Sequence, residues 1–323
     1  MKYLRLLILL YSFNLSAQQN NFKIIRDTSY TLYSAAEKML KVFPNAKLVL
    51  PESSKNFKEE KNLVYAIIGN RELHLDLIYP YKINSKKNPA VVLIHGGGWR
   101  SGDRSFVIPM AQKFASDGFA AIAVEYRLSV EAHYPAALFD IKSAIRWVRA
   151  NSSKYNIDTN KIAIYGCSAG GHLAALAGTT NHDVRFEGRE GNIQHSSDVH
   201  AIIDVDGVVD FFGKGTEELY KKSGEPSAAH LWLGASPDEN PDIWKEAGPI
   251  NHVGKNTPPV LFVNSGQERF HAGRDEMIAK LKKYNIYNEA KTLSGTIHTF
   301  WLFHPWFDET FNTAKNFLNR IFK

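Results

Sequence analysis

The stretch IAIYGCSAGGHLAAL, Ile162 to Leu176, decides the fold. Its first residues alternate and branch like a buried strand, and those after Ser168 are rich in Ala and Leu, like a helix. A lone serine sits at the junction, between Gly166 and Gly170. A large side chain at either flanking position would crowd so tight a turn, whereas glycine tolerates unusual backbone angles and close packing. The spacing is G-x-S-x-G, and in a strand–turn–helix setting it predicts a bend that lifts the Ser168 hydroxyl clear of the sheet. The helix that follows puts its positive dipole end under any negative charge that develops there. The plain alternative is a Gly-rich turn without chemistry.

Outward from that stretch, apolar and β-branched runs recur at Leu63–Ile68, Leu73–Tyr79, Ala90–His95, Ala120–Tyr126, Ile162–Tyr165, Ala201–Val205, Val260–Val263 and Glu289–Leu293. Helical patterns fall between the later runs, at Phe106–Asp117, Pro135–Asn151, Ser168–Thr179, Ala272–Tyr284 and Glu309–Phe322. Alternating strands and helices predict an α/β fold with a mostly parallel sheet covered on both faces. The first two runs have no helix between them and are expected to pair antiparallel. Residues 18–62 read as a polar N-terminal extension with a helical stretch near Ser34–Val42, and 63–323 as the catalytic domain. Residues 211–251 carry Gly, Pro and Ser and no clear strand, so they are expected to form a small lid over the carboxyl edge of the sheet, where such sheets bind ligands.

A second motif, His95-Gly-Gly-Gly-Trp99, directly follows the run AVVLI. Three glycines let the backbone curl so that the amides of Gly97 and Gly98, with that of Ala169, cradle an oxyanion. A phosphate loop is the alternative, but no G-K-[ST] follows and the pattern is not G-x-G-x-x-G. Trp99 is expected to wall the acyl side of the pocket, with a place in the core as the alternative, and His172 to lie packed or near the pocket wall. Among 12 histidines, His298 is the expected base, because in this topology the base follows the last strand; His304 competes, and His95 is expected to hold the oxyanion loop. The acid that orients His298 has two sources. Asp206 ends its strand directly before a glycine, and Glu268 lies in the loop after Val260–Val263; Asp210 and Asp275 are more remote candidates.

The chain has 323 residues, 44% of them hydrophobic, enough for a substantial core. Lys and Arg exceed Asp and Glu by 39 to 33, a net charge of +6, with no basic stripe and interleaved aromatics of the kind that binds nucleic acid. Lys2 and Arg5 flank an apolar run that ends in Leu15-Ser16-Ala17, which reads as a secretory signal cleaved after Ala17, too short for a stable membrane anchor. Cys167 is the only cysteine, so no internal disulfide forms. No H-E-x-x-H and no paired Cys/His set is present, and neither a metal nor an organic cofactor is expected.

With HGGGW, GCSAGG and a late histidine in order, the chain resembles an α/β-hydrolase of the esterase/lipase kind. More narrowly, it resembles the secreted bacterial carbohydrate esterases of the acetyl-esterase and acetylxylan-esterase type. VEYRLS (Val124 to Ser129) and YPAALFDIKSAIRWVRAN (Tyr134 to Asn151) add to the resemblance, which covers roughly residues 60–323. It implies an eight-stranded sheet, Ser168 as nucleophile, His298 as base and the Gly97, Gly98 and Ala169 amides as the oxyanion hole. The family usually shows an Asp two or three residues past a Gly in the loop after the seventh strand, where this chain has Glu268, and an aromatic where Asp206 stands. The implied substrate is an acetylated xylan or pectin, with a pectin methyl ester or a feruloyl ester as the alternative and a non-catalytic binding protein as a third reading. Arg269 and Arg274 are candidate grips for a uronic carboxylate, since Arg binds carboxylates bidentately; the plain alternative is a helix start with surface pairing. The cluster FWLFHPWF, Phe300 to Phe307, reads either as sugar-stacking surface or as core.

Overall fold

The computed structural model describes residues 27–81, 86–213, 216 and 226–323. The expected signal, residues 1–17, lies outside the described residues, as do 214–215 and 217–225 of the expected lid.

Helix α1 (Leu32–Val42) and the short strand β1 (Lys47–Leu48) precede a hairpin of β2 (Phe57–Ile68) and β3 (Arg71–Pro80). There follow β4 (Asn88–Ile94), α2 (Ile108–Ser116), β5 (Ala120–Val124), α3 (Ala136–Ala150), β6 (Ile157–Cys167), α4 (Ala169–Thr179) and β7 (Ala201–Val205). Helices α5 (Ala228–Leu233) and α6 (Pro241–Glu246) occupy the expected lid, before β8 (Val260–Ser265), α7 (Arg274–Lys283), β9 (Asn288–Leu293), β10 (Phe303–His304) and α8 (Trp306–Ile321).

The eight long strands form one sheet in the order β2-β3-β5-β4-β6-β7-β8-β9. β2, β3 and β5 pair antiparallel and every later neighbour is parallel, as the strand–helix alternation predicts. β2 begins six residues before the apolar run at Leu63, because its first half, FKEEKN, is a largely solvated edge that hydrophobic alternation does not mark. β5 and β7 are buried throughout and β4 nearly so, as strands covered on both faces must be.

Side chains alternate between two cores. On one face Val92, Ile94, Ile164 and Ile202 meet Leu138, Ile141 and Ile145 of α3 and Leu173 and Leu176 of α4. On the other, Val91, Leu93, Tyr165 and Ile203 meet Phe114 of α2, Phe311 and Phe317 of α8, and Ala35 and Met39 of α1. Phe300, Trp301, Phe303 and Phe307 are buried in this second core, so most of the late aromatic cluster is packing rather than a sugar platform.

The order of strands reverses at β4, whose neighbours β5 and β6 come next in the chain on opposite sides. A crevice opens at such a reversal beyond the carboxyl ends of the strands. His95-Gly-Gly-Gly-Trp99 leaves the end of β4 and Ser168 the end of β6, so both motifs converge on it.

Candidate active site

Ser168 follows the last residue of β6 with φ 56° and ψ −125°, a backbone conformation few non-glycine residues adopt. Its amide donates to Val205 O at 2.8 Å and its carbonyl accepts from the His172 amide at 3.0 Å, pinning the bend between β7 and α4. The two flanking glycines are steric requirements. A Cβ on Gly166 would lie 1.9 Å from Gly170 O, and one on Gly170 would lie 2.3 Å from Ile94 O. The absence of both side chains lets the strand end, the start of α4 and the end of β4 share one point.

The hydroxyl of Ser168 is 2.9 Å from His298 Nε2, and His298 Nδ1 is 2.9 Å from Asp206 Oδ2. The Asp206 side chain is fully buried; its Oδ1 accepts the Ser265 amide at 2.7 Å, and its own amide donates to Val263 O at 3.0 Å. Asp206 sits just past β7 with φ 55°, the conformation that swings its carboxylate across the ends of β7 and β8. A carboxylate on Nδ1 holds that nitrogen protonated and leaves Nε2 as the acceptor facing the serine. Of the two acids left open above, the geometry selects Asp206. Glu268 is exposed in the 3₁₀ turn Glu268–His271, and the nitrogen it would have to meet is occupied by Asp206. Asp210 caps its own turn through the Phe212 amide, Asp275 pairs with Arg274, and His304 pairs with Asp308, so none of the three joins the site.

His298 is held by groups that the sequence did not single out. Gln267 Oε1 accepts the His298 amide at 2.7 Å, Phe270 stacks on the imidazole with ring centroids 3.5 Å apart, and Trp301 meets it edge-on at 4.9 Å. Burial among these rings lowers the His298 pKa below the usual histidine value; Asp206 opposes the shift, and the charges of Arg269 and Lys38 add to it. The imidazole is therefore biased toward the neutral form that accepts a proton. The one advance signal for this clamp was position, since Gln267 and Phe270 stand on either side of Glu268 in the loop after β8.

Ser168 and His298 open onto a cleft of about 790 Å³ lined also by Gly97, Gly98, Ser101, Ala228, Gln267, Arg269 and Ile297. Gly97 and Gly98 thus stand on the wall beside Ser168, and Ala169 is the first residue of α4 behind it. The remaining wall comes from the N-terminal segment, through Ser29, Tyr30, Ala35, Lys38, Lys41 and Val42. This segment is tied to both sides of the site. Asp27 pairs with Arg100 and bridges to Ser101 on the HGGGW loop, and β1 pairs with β10 just beyond His298.

Three candidate substrate-contacting residues lie off the cleft, and for Trp99 and His172 the packed alternative holds. Trp99 is buried and stacked on Trp232 at 5.1 Å, and its indole N–H donates to His172 Nδ1 at 3.2 Å. His172 is fully buried with its Nε2 2.8 Å from Ala247 O, and burial pushes its pKa down to about 4, so it is a neutral donor–acceptor link. Together with Phe211 and Trp244 they form an aromatic cluster that anchors α5 and α6 to the back of the HGGGW loop. Arg274 donates to Asp275 and Asn264 and stands off the cleft wall, because α7 begins there and turns it toward β8 and β9. Arg269 does line the cleft, stacked on Phe270 at 4.5 Å. His95 is buried and stacked on Tyr126 at 4.5 Å, a support of the loop as expected.

The family model described as BD-FAE matches residues 75–277. Over 187 residues, 57% of this chain and 45% of the relative, the sequence is 30% identical to Esterase LipC of Mycobacterium tuberculosis. The chain spans about half the length of the curated relatives it matches first. Among solved structures, a bifunctional GH43-CE protein of Bacteroides eggerthii is similar at a TM-score of 0.71 and 26% identity, over 83% of this chain and 36% of that one. The thermophilic esterase Est2 of Thermogutta terrifontis, solved with propionate bound, is similar at a TM-score of 0.66 and 27% identity, over 83% of this chain and 95% of that one.

Proposed function

The chain belongs to the BD-FAE family, with an α/β-hydrolase fold, and from that premise we propose that it is a secreted serine carboxylic-ester hydrolase that deacetylates a plant cell-wall polysaccharide such as xylan or pectin. One observation carries the chemistry: the unbroken chain from Ser168 Oγ through His298 to Asp206, with both contacts at 2.9 Å. Names of relatives support the ester, and the bifunctional GH43-CE neighbour supports the sugar.

In this reading Ser168 Oγ attacks the ester carbonyl as His298 Nε2 takes its proton. The Asp206 carboxylate stabilises the imidazolium that forms, without itself taking the proton. Negative charge moves onto the carbonyl oxygen, where the amides of Gly97, Gly98 and Ala169 receive it in the cleft wall. The carbonyl re-forms, the sugar alcohol leaves with the proton returned by His298, and the acyl group stays on Ser168. Water, deprotonated by His298, then repeats the attack and releases acetate.

The test is release of acetate and of methanol, assayed separately, from acetylated xylan and from methylated, acetylated pectin. Wild type is expected to release acetate, and Ser168→Ala to abolish it. Methanol from pectin without acetate would overturn the deacetylase reading in favour of a methylesterase. Acetate release surviving in Ser168→Ala would remove Ser168 from the mechanism.

A further inference from the structure

The cleft is one-sided in charge. Among the described residues that line it, four are Lys or Arg, namely Lys38, Lys41, Arg100 and Arg269, and none is Asp or Glu. Lys41 and Arg100 are offset from behind. Glu37 pairs with Lys41 at 2.9 Å, and Asp27 pairs with Arg100. Lys38, on the same helix, forms no ion pair with a carboxylate of the described residues. It stands one turn before Val42 on the α1 wall and is exposed to the cleft's solvent.

Its charge is also felt at the reacting centre, since Lys38 and Arg269 both disfavour the His298 imidazolium. A cleft of about 790 Å³ is far larger than an acetyl group, so it has room for the sugar as well. Helix α1 lies outside residues 75–277, so this wall is a feature of the chain rather than of the stretch that matches the family.

We propose that Lys38 and the cationic rim it shares with Arg269 form a subsite for the carboxylate of a uronate, so that the preferred ester is borne on an acidic saccharide. The proposal rests on the deacetylase reading above and names the sugar class that reading leaves open. A carboxylate placed there meets an ammonium group that no carboxylate of the described residues pairs with. The field of that ammonium draws the anionic chain toward the cleft.

The experiment compares kcat/KM for acetate release from acetylated oligogalacturonide and from acetylated, uronate-free xylo-oligosaccharide, in wild type, Lys38→Met and Lys282→Met. Wild type is expected to favour the acidic substrate by about tenfold or more, the scale of one hydrogen bond to a charged group. That preference should shrink in added salt. Lys38→Met is expected to bring the ratio to near unity, while Lys282→Met, which removes the same charge on α7 away from the cleft, keeps it. Equal rates on the two substrates in wild type, or an unchanged ratio in Lys38→Met, would overturn the subsite while leaving the esterase standing. Loss of the ratio in Lys282→Met as well would assign the preference to net charge and overturn it too. Hydrolysis of neither substrate by wild type would overturn the deacetylase reading itself.

Discussion

Asp206 and Glu268 each stand just past the end of a strand that leads to the site, yet only Asp206 meets His298, across 92 positions of sequence. The difference lies in the local backbone. Asp206 takes a positive φ and is roofed by β8, whose Ser265 amide fixes one carboxylate oxygen, while Glu268 enters a 3₁₀ turn that faces solvent. Asp206→Asn is therefore expected to cut kcat on a small acetate ester by roughly 10³- to 10⁴-fold, because the amide favours the wrong imidazole tautomer. Glu268→Gln should leave kcat near the wild-type value. Steady-state kinetics of the two variants side by side check this, and the opposite ranking would reassign the acid. The serine was legible because its glycine frame is local in sequence. The acid was not, because it is chosen by which side chain folding delivers to a ring nearly a hundred residues away.

Among the elements, α1 carries the largest surprise. Its sequence pattern announced a helix near Ser34–Val42, and the helix is there at Leu32–Val42, but nothing local told where it docks. Thr31 and Ser34 form a capping box at its start, and Ala35 and Met39 are its buried residues, seated in the core of α2 and α8. Docking through so few side chains makes the helix separable from the sheet. Met39→Ala is expected to cost about 2–5 kcal/mol of that docking. In hydrogen exchange, the amides of residues 32–42 should lose protection while those of β4 and β6 keep theirs. Unchanged exchange in α1 would show that Tyr30, Asp27 and β1 hold it without Met39. The expected lid shows the same division of labour. Its short helices follow from local caps such as Ser227, but its attachment to the Trp99–His172 cluster is a long-range packing result.

At the scale of the whole molecule, a charge is withheld from the core. Asp204 lies on β7 beneath the elbow, fully buried, with Oδ1 accepting the Gly207 amide at 2.8 Å and Oδ2 without a hydrogen-bond partner. Burial first, with Asp206 nearby adding to it, raises its pKa well above the usual 3.8, which favours the neutral acid in the native state. The unfolded chain releases that proton above about pH 4, whereas the native state holds it to higher pH. The native state then binds more protons than the unfolded one, and stability falls as pH rises, by up to ~1.4 kcal/mol per unit for this one group. Asp204→Asn, neutral in both states, should flatten the fall. Melting temperatures at pH 5 and pH 8 are expected to differ less in the variant than in wild type. An equal difference in both would show that Asp204 is ionised in the native state.

The sequence by itself determined the α/β class, the place of all eight sheet strands, although β2 and β6 begin six and five residues before their apolar runs, the elbow, the HGGGW loop and His298. Each is written in periodicity or in a short run of neighbours, because side-chain alternation and tight turns are local physics. Only the tertiary structure decided the acid, the burial of Trp99 and His172, the turning of Arg274 to β8 and β9, and the use of α1 as a wall of the cleft. These depend on where elements distant in sequence come to rest. That is set by the sum of packing over two core faces, and no single stretch of residues encodes it.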